Sequence, residues 1–426
     1  MKLETQCLHA GTQPDPTTNA RALPIYRTSS FVFNDTEHAA NLFALRELGN
    51  VYSRLMNPTQ DALEQRVAAL EGGAAGLAHA SGTAAIFNSI NNICAAGDEI
   101  VSAGNLYGGT FTMFNDLFPQ FGLKTHFVDS NDPANYAKAI TPKTKALFCE
   151  TLSNPAGDIA DIQAIADVAH AHGLPLIVDA TFTTPVLQRS IEFGADIVIN
   201  SLTKWMGGQG AGIGGMVVDS GRFDWKSDRF PIMTQPDASY HGLRWAHDLP
   251  DELAPVAYLI RMRVVPMRNL GACISPDNAW IFAQGIETLS LRMERHCSNA
   301  LKVAEFLRDH PSVDWVRYPG LEGDPANPLN DKYLSGMGGA MVVFGIKGGA
   351  AAGSSFIESL QLFSHLANVG DSKSLAIHPA TTTHSQLTTE QQAGAGITPE
   401  LLRLSIGIEH IDDILEDLDR AISAAV

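Results

Sequence analysis

Between about residues 57 and 220 the apolar positions switch repeatedly between two spacings. Asp61 to Leu70 carries Leu63, Val67 and Leu70 on one helical face, stopped by Gly72 and Gly73. AAGLAHA then reads as a strand, followed by a helix from Gly82 to Ala95. EIVSAG is a strand, Thr110 to Phe118 a helix, and ALFCE a strand. Asp161 can cap the next helix, whose apolar face is Ile162, Ile165, Ala166 and Ala169, with Gly173 closing it. PLIVDA and DIVINS are apolar runs of the kind buried in a parallel sheet, separated by a short helix around Val186 to Phe193. Regular alternation of strand and helix predicts an α/β fold, a mostly parallel sheet covered on both faces.

The rhythm fails at three places, and these suggest the domain organisation. Residues 1–56 show no sustained period and predict an extended arm. Residues 222–252 are aromatic, polar and proline-containing, and predict a long loop or insertion within a large domain spanning 57–265. Beyond 265 a long helix (about 287–309), strands at Val313–Arg317 and Ala340–Ile346, and an amphipathic helix from His410 predict a smaller α+β C-terminal domain, 266–426. A chain of 426 residues suits two or three such units.

Composition narrows the function classes. The chain is 45% apolar and 18% charged, as globular enzymes are. Its net charge of −17 argues against nucleic acid as a partner. No apolar run is long enough to span a bilayer, and MKLETQCLHAGTQ lacks the basic and apolar regions of a signal peptide, so the expected compartment is the cytoplasm. Five scattered cysteines without a CxxC read as reduced thiols.

Against that acidic background Lys204 stands out. It follows the apolar run Ile197, Val198, Ile199 and precedes a glycine cluster, where a solvated surface lysine has no special reason to be. Asp179 ends the preceding strand; alone it could be a helix cap. An amine and a carboxylate on neighbouring strand ends, with Ser201 and Thr203 beside the amine, suit pyridoxal 5'-phosphate. That cofactor needs an amine for its aldehyde, an anion for its ring nitrogen and donors for its phosphate. Gly82 and Thr83 open a helix whose first N–H groups can bind a phosphate, although an ordinary strand-to-helix turn would look the same.

Other features are weaker taken singly. Gly210, Gly212 and Gly215 match GxGxxG formally, but they lead into another apolar run, GMVV, where a dinucleotide site needs a helix; close backbone packing near the lysine is the better reading. Tyr52 and Arg54 lie in the irregular arm. Tyr107 precedes two glycines and could stack on a planar ring. Arg403, in LLRLSIGIE, either snorkels at a sheet edge or forks onto a carboxylate. His170 with His172, and His378 with His384, lack a third ligand at metal spacing and read as solvated or capping residues.

VYSRLMNPT, SGTAAI, DATFTTP, SLTKW, NVGDSKSLAIHPATTTHSQL and RLSIGIEH, in this order, resemble the Cys/Met-metabolism family of pyridoxal-phosphate enzymes over essentially the whole chain. The resemblance implies the aspartate-aminotransferase-like fold (fold type I) and a role for each matched position. Lys204 would bind the cofactor and move protons, Asp179 would pair with the ring nitrogen and Tyr107 would stack on the ring. Gly82, Thr83, Ser201 and Thr203 would hold the phosphate, with Tyr52 and Arg54 reaching in from a neighbouring subunit. Arg403, assisted by Asn154 and the backbone around Ser374, would hold the substrate carboxylate. The family implies a homotetramer built from two dimers, each of which shares active sites.

Within the family, the length and the insertion bearing RFP and PD-x-SYHG are most similar to the branch that replaces the acetoxy group of O-acetylhomoserine. Sulfide or methanethiol enters, giving homocysteine or methionine plus acetate. Gly109 stands where the methionine gamma-lyase branch carries a cysteine, which counts against lyase chemistry. The rival readings are a cystathionine gamma-synthase, a methionine or cystathionine gamma-lyase, a non-catalytic cofactor-binding protein and a nicotinamide oxidoreductase.

Overall fold

In the computed structural model the described residues are 1–154, 157–382 and 397–426. A seven-stranded sheet has the order β1 (Ala75–His79), β7 (Gly215–Asp219), β6 (Ile197–Ser201), β5 (Leu176–Asp179), β4 (Thr144–Glu150), β2 (Glu99–Ala103), β3 (Lys124–Val128). From β6 to β3 every pairing is parallel; β7 alone runs against both its neighbours. The antiparallel β7 explains the glycine string, which brings the chain back from the lysine turn into the sheet. A side chain at Gly215 would put its Cβ 2.2 Å from the Ser81 carbonyl, so the string serves close backbone packing.

The predicted α/β alternation is present, with local differences. β3 went unpredicted because KTHFV is a partly exposed edge strand whose Lys124, Thr125 and His126 break the apolar run. The predicted helix Thr110–Phe118 is an α-helix at Gly108–Thr112, a π-turn at Met113–Leu117 and a 3-10 turn at Phe118–Phe121, where Pro119 removes a donor. The predicted helix 287–309 is present as Leu289–Asp309; an unpredicted helix, Pro276–Glu287, capped by Ser275, precedes it, with Thr288 between the two.

A second sheet, β10 (Ser364–His365), β11 (Leu375–Ile377), β12 (Leu401–Ser405), β9 (Met341–Ile346), β8 (Val313–Arg317), is antiparallel except at β10/β11. Its core includes Val342, Phe344, Leu402 and Leu404 with Leu418 and Ile422 of the terminal helix Ile411–Ala425. The larger core takes in Ile286, Met293 and Cys297 and also Tyr333, Leu334 and Met341, and the smaller one starts at Ala300. Helix Leu289–Asp309 thus contributes side chains to both cores.

Two irregular regions are partly ordered by burial. In the N-terminal segment, helix Leu3–His9 buries Cys7 completely, so its first turns are docked rather than extended. Beyond it the segment exposes Val32 (94%), Phe43 (61%) and Leu48 (57%). The 222–252 region folds onto the large core through Phe223, Trp225 and Phe230, with Trp225 stacked on Tyr258 at 4.9 Å.

Candidate active site

Parallel strands β4, β5 and β6 end along one edge of the sheet, and a parallel sheet presents its ligands at that edge. Glu150 and Asp179 are direct partners across β4 and β5. Ser201 ends β6, and a tight turn places Lys204 three residues on, with its N–H on the Ser201 carbonyl at 3.2 Å.

Lys204 Nζ donates to Asn368 Oδ1 at 2.5 Å. Burial, and then the nearby charge of Arg403, push its pKa down to about 8. The turn is clasped from outside by Arg292, a buried guanidinium that donates to the carbonyls of Trp205 (2.6 Å), Met206 (3.1 Å) and Gly285 (2.7 Å).

Asp179 Oδ1 accepts from Thr181 N–H at 2.9 Å and from Thr181 Oγ1 at 2.5 Å. Thr181 Oγ1 in turn accepts the Ser201 N–H at 2.8 Å, joining the two strand ends. Oδ2 of Asp179 accepts nothing among the described residues. Burial raises the Asp179 pKa, opposed by Thr181. A cation brought to Oδ2 would therefore be strongly held.

Gly82 and Thr83 begin the helix Gly82–Asn91, whose N-cap Ser81 accepts the Ala84 N–H at 3.1 Å. Among the described residues the N–H groups of Gly82 and Thr83 have no acceptor. Gly82 packs on Ser201; a Cβ there would stand 2.7 Å from that of Ser201. Two amides free among the described residues, a serine hydroxyl and a helix N-terminus could hold a phosphate. Thr203 Oγ1 both donates to the Gly214 carbonyl and accepts its N–H, at 3.3 and 3.1 Å.

Arg403 occupies β12, which has strands on both sides, so it is not a snorkelling edge residue. It is 8% exposed, donates to Asn154 Oδ1 at 2.8 Å and to the Asn368 carbonyl at 3.4 Å, and has no acidic partner among the described residues. Burial pushes its pKa down to about 10, with Tyr107 near enough to act in the opposite sense. A desolvated guanidinium of this kind fits an incoming carboxylate. Tyr107 is 53% exposed, and its N–H donates to Glu150 Oε1 at 2.8 Å.

Three expected residues sit apart. Ser374 gives its N–H to Glu409 Oε1 at 2.6 Å and its hydroxyl to Oε2 at 3.0 Å, so it braces the sheet end with no N–H left for a carboxylate. Tyr52 and Arg54 stack on each other at 5.0 Å in the N-terminal segment. Among the described residues neither bonds to Lys204, Ser201 or Gly82, and Arg54 Nε is buried without a partner. Of the histidines, His170 bonds Asp196 at 2.9 Å, His172 bonds the Val168 carbonyl and His378 bonds Thr381 and the Pro399 carbonyl. His384 lies outside the described residues.

The sequence reading missed Asn368, Thr181, Glu150 and Arg292. Thr181 had a signal, since Asp-x-Thr favours a local turn in which the hydroxyl meets the carboxylate. Asn368 and Arg292 had none, because only the folded chain brings residues 164 and 87 positions away to the lysine turn. Taken together, a depressed amine, a carboxylate with one free oxygen, a phosphate cradle and an exposed aromatic ring fit pyridoxal phosphate.

The model of the family described as "Cys/Met metabolism PLP-dependent enzyme" matches residues 4–423. The chain is 53% identical to an O-acetyl-L-homoserine sulfhydrylase of Leptospira meyeri, over 99% of this chain and 96% of that one. It is 48% identical to O-acetyl-L-homoserine sulfhydrylase 1 of Thermus thermophilus, over 99% and 100%. A crystal structure of a putative O-acetylhomoserine (thiol)-lyase from Campylobacter jejuni, which contains N'-pyridoxyl-lysine-5'-monophosphate, is 40% identical. It superposes with a TM-score of 0.95 over 99% of this chain and 100% of that one.

Proposed function

Because the chain belongs to the Cys/Met-metabolism family of pyridoxal-phosphate-dependent enzymes, we propose that it performs γ-replacement on O-acetyl-L-homoserine. The Cγ–O bond breaks, sulfide or methanethiol forms the new Cγ–S bond, and acetate leaves with the electron pair of the broken bond. The products are L-homocysteine or L-methionine. The observation that carries this reading is the half-buried amine of Lys204, held by Asn368 and close to the guanidinium of Arg403, which has no acidic partner among the described residues.

When bound, pyridoxal phosphate supplies an aldehyde that captures amines and a protonated ring that draws off the electrons left when Cα loses its proton. The chain's residues do the rest. Lys204 Nζ holds the cofactor until the substrate's amine takes its place, and is then the base at Cα. A base must be neutral, and burial with Arg403 keeps its pKa at about 8, close to working pH. Asn368 Oδ1 fixes the direction of that amine. Thr181 fixes Asp179 so that Oδ2 meets the ring nitrogen, and Tyr107 covers the ring face. Gly82, Thr83, Ser201 and Thr203 hold the phosphate. Arg403 and Asn154 hold the substrate carboxylate, with Ser374 bracing the sheet behind them through Glu409. The acetyl ester is neutral and asks for no cation at the far end of the pocket; a succinyl ester would.

The same reading makes the assembly a homotetramer of dimers in the cytoplasm, with Tyr52 and Arg54 completing a neighbour's phosphate site. What supports it is the apolar surface on the segment that carries them. No helix among the described residues is long and apolar enough to cross a membrane.

The deciding experiment supplies acetylhomoserine and sulfide and follows homocysteine and acetate. Equal amounts of both, in a reaction outpacing the one with cysteine or with succinylhomoserine, are the expected result. Cystathionine as the main product from cysteine, or ketoacid and ammonia without a sulfur donor, would replace the proposal with synthase or lyase chemistry.

A further inference from the structure

Glu150 belongs to no part of the chemistry above, yet it ends β4 directly opposite Asp179, so both side chains leave the same face of the sheet. Among the described residues it makes one hydrogen bond, from the Tyr107 N–H to its Oε1 at 2.8 Å, and no cation pairs with it. Tyr107 itself caps only a five-residue helix, Gly108–Thr112, and its side chain makes no capping bond. The Tyr107 carbonyl accepts the Thr110 and Phe111 N–H groups, and the Glu150 contact is the side-chain restraint on where the Tyr107 ring begins.

Two desolvated carboxylates on adjacent strands resist being ionised together. Thr181 decides between them: its amide and hydroxyl both stabilise a negative Asp179, whereas Glu150 receives a single amide donor. Burial and the charge of Asp179 accordingly hold Glu150 well above the usual carboxylate range.

We propose that Glu150 is a positioning residue. It ties the Tyr107 ring, which covers the cofactor, to the strand ends that carry the cofactor's counter-charge. The proposal rests on the reading of Tyr107 and Asp179 given above. Its use is geometric: an uncharged acceptor fixes the ring without adding a second negative charge beside Asp179.

The test dialyses the full-length holoenzyme against cofactor-free buffer and measures retained cofactor, together with the pH dependence of its visible absorbance. Glu150→Gln keeps a neutral oxygen acceptor, so cofactor affinity stays within about twofold and the absorbance profile does not move. Glu150→Ala frees the Tyr107 turn and weakens cofactor binding about tenfold. Adding it to Tyr107→Ala costs little more, because both changes remove one restraint. Glu150→Gln weakening binding as much as Glu150→Ala, or shifting the profile by a full pH unit, would show that a charge is used and overturn the proposal. Glu150→Ala without effect, while Tyr107→Ala weakens binding, overturns it and leaves the role of Tyr107 standing. Tyr107→Ala without effect removes the underlying reading as well.

Discussion

Asn368 touches both reactive cations of the site: its Oδ1 lies 2.5 Å from Lys204 Nζ, and its backbone carbonyl accepts from Arg403 Nη2 at 3.4 Å. The amine that moves protons and the guanidinium assigned to the substrate carboxylate are thus registered by one loop residue. Removing its side chain leaves the lysine tethered only by its own stem. Asn368→Ala should lower kcat by up to about 10²-fold, since small misplacements of a reacting group are costly, with little loss of cofactor. Asn368→Asp places a carboxylate on Nζ, favours the charged lysine and moves the rising limb of the kcat–pH profile to higher pH. Steady-state kinetics across pH 6 to 10 would reveal both, and an unmoved limb in Asn368→Asp would sever the link.

Arg403 combines three properties: burial, a bond to Asn154 and no acid partner among the described residues. A substrate carboxylate would complete it. Arg403→Ala should weaken substrate binding by ~2–5 kcal/mol, seen as a raised KM, while cofactor retention changes little. Arg403→Lys should recover only part, because an ammonium cannot present the planar fork. A second consequence follows from charge. Arg403 helps depress Lys204, behind the larger effect of burial, so its loss should also move the rising limb upward in pH. An unchanged KM for acetylhomoserine would place the carboxylate elsewhere.

Lys204 is retained against stability. Its pKa falls from 10.5 unfolded to about 8 folded, which at about 1.4 kcal/mol per pH unit costs the cofactor-free protein roughly 3 kcal/mol below pH 8. The sign is set by protons: between pH 8 and 10.5 the unfolded chain binds more of them, so stability rises with pH through that window and the cost is gone above it. Lys204→Met should therefore stabilise the cofactor-free protein near pH 7, less about 1 kcal/mol for the Asn368 acceptor left unpaired. The gain should fade by pH 10.5. Denaturant midpoints at the two pH values provide the check, and a destabilised variant at pH 7 would contradict it.

How far the sequence carried this account depends on where each residue's partners lie. The placement of Lys204, Asp179 and Gly82 was legible because each sits at the end of an apolar strand or the start of a helix, and such boundaries are written locally. The same logic made β4, β5 and β6 readable, whereas β3 at the sheet edge lacked a continuous apolar run. Asn368 and Glu150 escaped because nothing within ten residues of either explains them. Glu150 looks like an ordinary strand-end acid until the register puts it against Asp179. Ser374 shows the reverse error: its position in the family pattern suggested a ligand contact, and only folding reveals that Glu409 already occupies its donors.

Tyr52 and Arg54 offer the sharpest test of the assembly. Within one chain they stack on each other, Arg54 Nε is buried without a partner among the described residues, and Leu55 beside them is held by Arg263 Nη1 at 2.6 Å. Their segment exposes Val32 and Phe43, surface that a second copy would cover. If Arg54 serves the neighbour's phosphate, Arg54→Ala and Lys204→Ala damage different halves of a shared site. Each variant alone should be nearly inactive. Co-expressed, they form hybrid dimers in which one site has lost both groups and the other has kept both. With random pairing, half the dimers are hybrids and each has one sound site of two, so activity should return to about a quarter of the parent's. Were Arg54 to act within its own chain, no hybrid would contain an intact site and mixing would restore nothing.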